Sequence, residues 1–158
     1  MAAVRRKPSR KGKQVVNARK KEVDGITFAS GLEAKMYTLL RDAGIEFVYE
    51  GTTYCIFEQE EYPAECFERA TRRSKQMIDR RKVAPIRYTP DFICKNEDWI
   101  IECKGRANDR FPLVWKMFKS LMGKRKDAPI LFKPATTADC QQVVNELIER
   151  GYGKKGKR

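Results

Sequence analysis

Between Gly31 and Gly44 the apolar residues Leu32, Met36, Leu39, Leu40 and Ala43 recur every three or four positions. That spacing predicts a helix with one buried side. Ser30-Gly31-Leu32-Glu33 supplies an S-x-x-E capping box at its start, and Gly44 supplies the stop. Upstream, Asp24-Gly25 marks a turn. Ile45–Tyr49 and Thr53–Phe57 read as two strands parted by Glu50-Gly51-Thr52. Pro63 is expected to open a helix running to about Arg81. Arg87–Cys94 and Trp99–Lys104 read as a hairpin closed by Lys95-Asn96-Glu97-Asp98. Gly105–Asp109 is a loop. Phe111, Trp115, Phe118 and Met122 then form an aromatic stripe at helical spacing, expected to be core rather than a ligand site. Pro129–Phe132 predicts a short strand. Thr136 or Thr137 caps a last helix, Ala138–Arg150, which Gly151 ends. This order predicts an α/β fold with one mixed central β-sheet flanked by helices.

At 158 residues the chain suits one domain with a core of its own. Its charge is unevenly spread. The net charge is +13, yet residues 22–149 hold 20 basic and 21 acidic side chains. The excess lies in residues 1–21, read as a disordered arm with nine Lys and Arg, and in a basic tail at 151–158. A third basic run, Arg69, Arg72, Arg73, Lys75, Arg80, Arg81 and Lys82, falls in the segment 60–82, expected to be a helical insertion in a domain spanning 22–150. Basic tails on a near-neutral body fit a polyanion partner, because neutralised phosphates release condensed counterions. A solubility or localisation role is the plainer alternative. No apolar run approaches a membrane span, and the basic N-terminal stretch has no apolar h-region. The expectation is an intracellular protein without membrane contact.

The chain has no histidine, which removes Ser-His and Cys-His nucleophilic catalysis and His-ligated zinc. Five cysteines, Cys55, Cys66, Cys94, Cys103 and Cys140, include no Cys-x-x-Cys pair and read as reduced, packed thiols. Hydrolytic chemistry is left to carboxylates, lysine, tyrosine or a hard metal ion.

One constellation fits that restriction. Strand side chains alternate, so Glu102 and Lys104 share a face while Trp99, Ile101 and Cys103 take the other. If the turn at 95–98 closes a symmetric hairpin, Asp91 lies opposite Glu102. Facing carboxylates repel across a sheet. A Mg²⁺ or Mn²⁺ ion removes that repulsion and takes oxygen ligands of this kind. Lys104 beside the acids suits orientation of the attacking water or stabilisation of charge on a phosphoryl group. Alone, E-x-K is short enough to be an ordinary pair on a solvated sheet face.

Phe28-Ala29-Ser30-Gly31-Leu32-Glu33, Tyr88-Thr89-Pro90-Asp91-Phe92 and Glu102-Cys103-Lys104-Gly105 together resemble the three motif blocks of the phage endonuclease I family. These are Holliday-junction resolvases of the PD-(D/E)xK nuclease superfamily. The resemblance covers residues 24–105, is weak in the C-terminal half, and does not extend to the 60–82 insertion. It implies a restriction-endonuclease-like core and a Mg²⁺- or Mn²⁺-dependent endonuclease acting on branched DNA. It also implies a homodimer, no small-molecule cofactor, and a place in the cytoplasm of a phage-infected or bacterial cell. Asp91, Glu102 and Glu33 would be metal ligands, and Lys104 would act on the nucleophile or the developing charge. Glu33 also has a purely structural reading, as the third helical residue of the capping box. Nucleic-acid contacts are expected from the basic run at 69–82, and from Arg106, Lys116 and Lys119. Three alternatives remain: another phage nuclease of the superfamily (nicking, repair or end-processing), a non-catalytic nucleic-acid-binding module, and a basic ribosome-associated protein.

Overall fold

The computed structural model describes residues 19–106 and 108–153. The basic stretch 1–18 and the end of the basic tail, 154–158, lie outside the described residues. The chain opens on a hairpin of β1 (Lys21–Val23) and β2 (Ile26–Phe28), turned by Asp24 and Gly25 at φ +52° and +76°. Asp-Gly is favoured there because both turn positions need positive φ. Helix α1 (Gly31–Asp42) follows the predicted stripe. Met36 and Leu40 are fully buried, and Leu32, Leu39 and Ala43 pack half-buried beside them. Gly44 ends it at φ +64°.

The central sheet has the order β12-β11-β10-β3. Its strands are β3 (Val48–Tyr49), β10 (Phe92–Ile93), β11 (Trp99–Ile101) and β12 (Ile130–Phe132). β3, β10 and β11 pair antiparallel, and β12 runs parallel to β11, so the sheet is mixed. The parallel connection carries helix α2 (Phe111–Gly123). Alternation along β10 and β11 divides the core. Phe92, Trp99 and Ile101 pack with α1 and the last helix, α3 (Thr137–Glu149). Ile93 and Ile100 pack with Phe111, Trp115, Phe118 and Met122 of α2. Trp99 and Trp115 thus lie on opposite sides of the sheet. Cys94, Cys103 and Cys140 are buried free thiols in the first cluster, while Cys55 and Cys66 are half-buried. Thr136 caps α3 through a full capping box with Asp139. Residues 151–153, assigned to the tail, instead fold back, and Tyr152 packs edge-on against Trp99. Among the described residues no helix is long and apolar enough to cross a membrane.

The helix expected from Pro63 to Arg81 does not form. The chain from Tyr54 to Tyr88 is one long, irregular antiparallel hairpin. β4 (Tyr54–Phe57) pairs with β9 (Ile86–Tyr88), β5 (Glu60–Glu61) with β8 (Lys82–Val83), and β6 (Phe67–Arg69) with β7 (Met77–Asp79). A register shift between Cys55 and Phe57 and an excursion at Pro63-Ala64-Glu65 interrupt the pairing. The physical reason is a broken apolar stripe: six consecutive polar residues, Thr71 to Gln76, part Ala70 from Met77, so a helix here would have little apolar face to bury. None of residues 58–83 enters either core cluster. The strand expected over Arg87–Cys94 is likewise split. β9 pairs with β4, and Thr89-Pro90-Asp91 bends the chain into β10 in the central sheet.

Candidate active site

The bend between β9 and β10 sets the geometry. Pro90 is fully buried, and the Glu50 N–H donates to the Asp91 carbonyl at 2.8 Å, which ties the bend to the end of β3. Phe92 faces Ile101 and Ile93 faces Ile100, the register of a symmetric hairpin. One step further sets Asp91 across from Glu102. Beyond β11 the extended chain continues beside β12: the Glu102 N–H donates to the Phe132 carbonyl at 3.0 Å and the Lys104 N–H to the Pro134 carbonyl at 2.9 Å. Glu102 and Lys104 therefore project on the α2 side, and Lys104 Nζ sits 4.8 Å from the centre of the Phe111 ring. The ring quadrupole attracts an ammonium placed there and helps to hold the side chain in position.

Each carboxylate has its own donors. Asp91 Oδ2 accepts from the Cys103 N–H at 2.6 Å. Glu102, only 6% exposed, accepts from the Tyr88 hydroxyl at 2.7 Å through Oε2. Glu33 accepts from the Ser30 hydroxyl at 2.7 Å, the Ala29 N–H at 3.1 Å and the Tyr49 hydroxyl at 2.9 Å. Ser30 Oγ in turn accepts from the Glu33 N–H at 3.2 Å. Glu33 thus serves the helix start, though its backbone donor is Ala29 rather than the cap residue.

Electrostatically Asp91 and Glu102 are linked. Burial pushes the Asp91 carboxyl up to about 8, reinforced by the charges of Glu102 and Glu33 and opposed by the Cys103 N–H and Lys104. Burial also raises Glu102, and the Glu33 charge adds to this, while the Tyr88 hydroxyl and Lys104 pull it down. Tyr88 is raised in turn by burial and by the Glu102 charge. Ionising all three carboxyls beside one ammonium would leave an uncompensated negative field in a poorly solvated place. A hard divalent cation fits that field and an all-oxygen donor set. Yet among the described residues no three acidic or thiol side chains converge on one point as a ready metal cage. Loading an ion would require side-chain movement, most of all from Glu33, whose oxygens are fully engaged at the helix start.

Asp91, Glu102 and Lys104 are therefore brought together, with Glu33 within their field but turned to the cap. The basic candidates divide. Lys116 and Lys119 lie on the exposed face of α2, and Arg106 is exposed in the loop before it. Arg80 approaches Glu68 at 3.9 Å and donates to the Ala70 carbonyl at 2.7 Å; Arg81 pairs with Asp79 at 2.7 Å. Lys82 faces Glu61 across β5–β8. Arg69, Arg72, Arg73 and Lys75 have no acidic partner among the described residues. Sequence reasoning gave Tyr88 and Tyr49 no role of their own at the site and placed Phe111 only in the core stripe of α2. Tyr88 stands three residues before Asp91, a spacing with no strand periodicity, because the bend at Pro90 intervenes. Compared with family models, curated proteins and solved structures, the chain matches none.

Proposed function

We propose that this chain is a metal-dependent DNA endonuclease with a restriction-endonuclease-like core, similar to the phage endonuclease I resolvases of the PD-(D/E)xK superfamily. The observation that carries the reading is the meeting of Asp91, Glu102 and Lys104 at one end of two paired central strands, with both acids raised by burial and Asp91 raised further by the Glu102 charge. Asp91 and Glu102 would hold a Mg²⁺ or Mn²⁺ ion, joined by Glu33 if it leaves its cap. The ion, when bound, supplies Lewis acidity and makes water a nucleophile near neutral pH. Lys104, steadied over Phe111, stabilises negative charge on the phosphoryl oxygens. Tyr88 orients Glu102 and is a positioning residue. Hydrolysis to 5′-phosphate and 3′-hydroxyl ends, action at DNA branches and a homodimeric enzyme follow from the resemblance. Arg106, Lys116 and Lys119 would contact the backbone with little base readout.

The test is cleavage of a labelled four-way junction beside linear duplex and single strand, with Mg²⁺, with EDTA, and with Lys104→Ala. Metal-dependent and Lys104-dependent cutting at the branch is the expected result. Equal cutting of linear DNA would retain the nuclease and remove the junction preference. Tight binding with no cutting in Mg²⁺ or Mn²⁺ would favour a second reading, a non-catalytic nucleic-acid-binding module. The separate donor sets on the three carboxylates favour that reading.

A further inference from the structure

The long hairpin ends in a segment that has no structural task in the body. From Arg69 to Ile78 it carries Arg69, Arg72, Arg73 and Lys75 and no acidic residue. All four cations are exposed and unpaired among the described residues, whereas Arg80 and Arg81 nearer the base are held by Glu68 and Asp79. Phe67 and Met77 are 56% and 54% exposed. Arg69 stands directly opposite Met77, and Phe67 opposite Asp79, so Phe67, Arg69, Met77 and Asp79 share one face of the ribbon, with the Asp79 charge already held by Arg81 and the Cys66 N–H. Long cations beside flat or flexible apolar groups suit phosphates flanking base edges.

The geometry points to the β6–β7 ribbon and its tip as an arm that grips duplex DNA in the major groove. This rests on the nucleic-acid reading above but not on the cutting chemistry. Adjacent strands are about 4.8 Å apart, and a two-stranded ribbon with its side chains fills a groove about 12 Å wide, while the minor groove is about half that. The tip cations would sit on the groove walls, with Phe67 and Met77 facing the floor, where thymine methyls lie.

The experiment measures binding of the full chain to a short fluorescent A·T-rich duplex in EDTA across a series of KCl concentrations. Wild type is compared with the combined variant Arg69→Ala, Arg72→Ala, Arg73→Ala and Lys75→Ala. Each lost phosphate contact removes about 0.9 from the slope of log K against log salt, so the slope should shrink by about 3 to 4. Affinity near physiological salt should fall at least tenfold. The combined variant Arg69→Lys, Arg72→Lys and Arg73→Lys, with Lys75 kept, should preserve the slope. A minor-groove ligand such as netropsin should leave wild-type binding in place, and bulky substituents at pyrimidine position 5 should weaken it. An unchanged slope in a variant with wild-type thermal melting overturns the arm. Displacement by netropsin overturns its seating in the major groove. Cutting assayed separately with Mg²⁺ keeps the two readings apart: normal cutting with an unchanged slope removes the arm alone, and a slope change without cutting by any variant or wild type removes the nuclease alone.

Discussion

Asp91 is an acid kept largely protonated near neutral pH by burial and by Glu102 and Glu33. A carboxyl raised to about 8 in the folded state, against about 3.9 unfolded, binds more protons when folded. Its contribution is therefore present below pH 4 and lost as pH rises toward 8, and the raised Glu102 acts in the same direction. Melting temperature measured in EDTA should fall across that window, and Asp91→Asn should flatten the fall and melt higher than wild type at pH 8. A variant no more stable at pH 8 would contradict the electrostatic account. Divalent ions should reverse the trend, with Ca²⁺ or Mg²⁺ raising the melting temperature more at pH 8 than at pH 5, because protons compete for the same oxygens. At Tyr88, loss of the hydroxyl leaves Glu102 without its closest donor. Tyr88→Phe should cost about 1.5–3 kcal/mol of stability by chemical denaturation. If the site cuts DNA, it should slow turnover about tenfold while leaving DNA affinity unchanged.

At the scale of elements, α1 depends on one side chain at its start. Ser30→Ala removes the acceptor for the Glu33 N–H and one donor to its carboxylate, and should cost about 1 kcal/mol. The long hairpin is the opposite case. Replacing residues 60–83 with a tight turn should change the melting temperature little, since the segment adds nothing to either apolar cluster. A large loss in a thermal melt would show that the base of the ribbon supports the sheet. The elements with a buried face were legible beforehand: α1 through its stripe and caps, α2 through its stripe, α3 through its caps, and β10 and β11 through a symmetric four-residue turn. The ribbon was not, because Glu, Arg, Lys, Gln and Met between 65 and 82 have good helix propensity and propensity is a weak guide without packing. The split at Pro90 was hidden for another reason. An apolar run reads the same whether it serves one strand or two that pair with different neighbours. In the site, Glu102 and Lys104 could be placed together by alternation alone. Tyr88 and Phe111, which reach them across the bend and from α2, have no local signature.

For the whole molecule, the sheet is the shared wall between two cores. One is closed by α1 and α3, the other by α2 and the β4–β9 pair. Leu147→Ala in the first should cost about 2–5 kcal/mol and Phe118→Ala in the second about 3–5 kcal/mol, as cavities left in fully buried positions. The charge layout follows the same division of labour, with the cores in the near-neutral body while Arg69, Arg72, Arg73 and Lys75 collect at the ribbon tip, outside both clusters.

Trp99 and Trp115 are the chain's two tryptophans, one buried in each core, and the indole N–H of Trp99 finds no acceptor among the described residues. That makes the molecule its own two-channel reporter. With Trp115→Phe the remaining emission follows the α1–α3 side alone; with Trp99→Phe it follows the α2 side. Coincident unfolding curves would mean that the two halves melt as one cooperative unit. Separated curves would mean that the wall outlives one of the rooms it divides, leaving the strands that bear Asp91 and Glu102 lined on a single side.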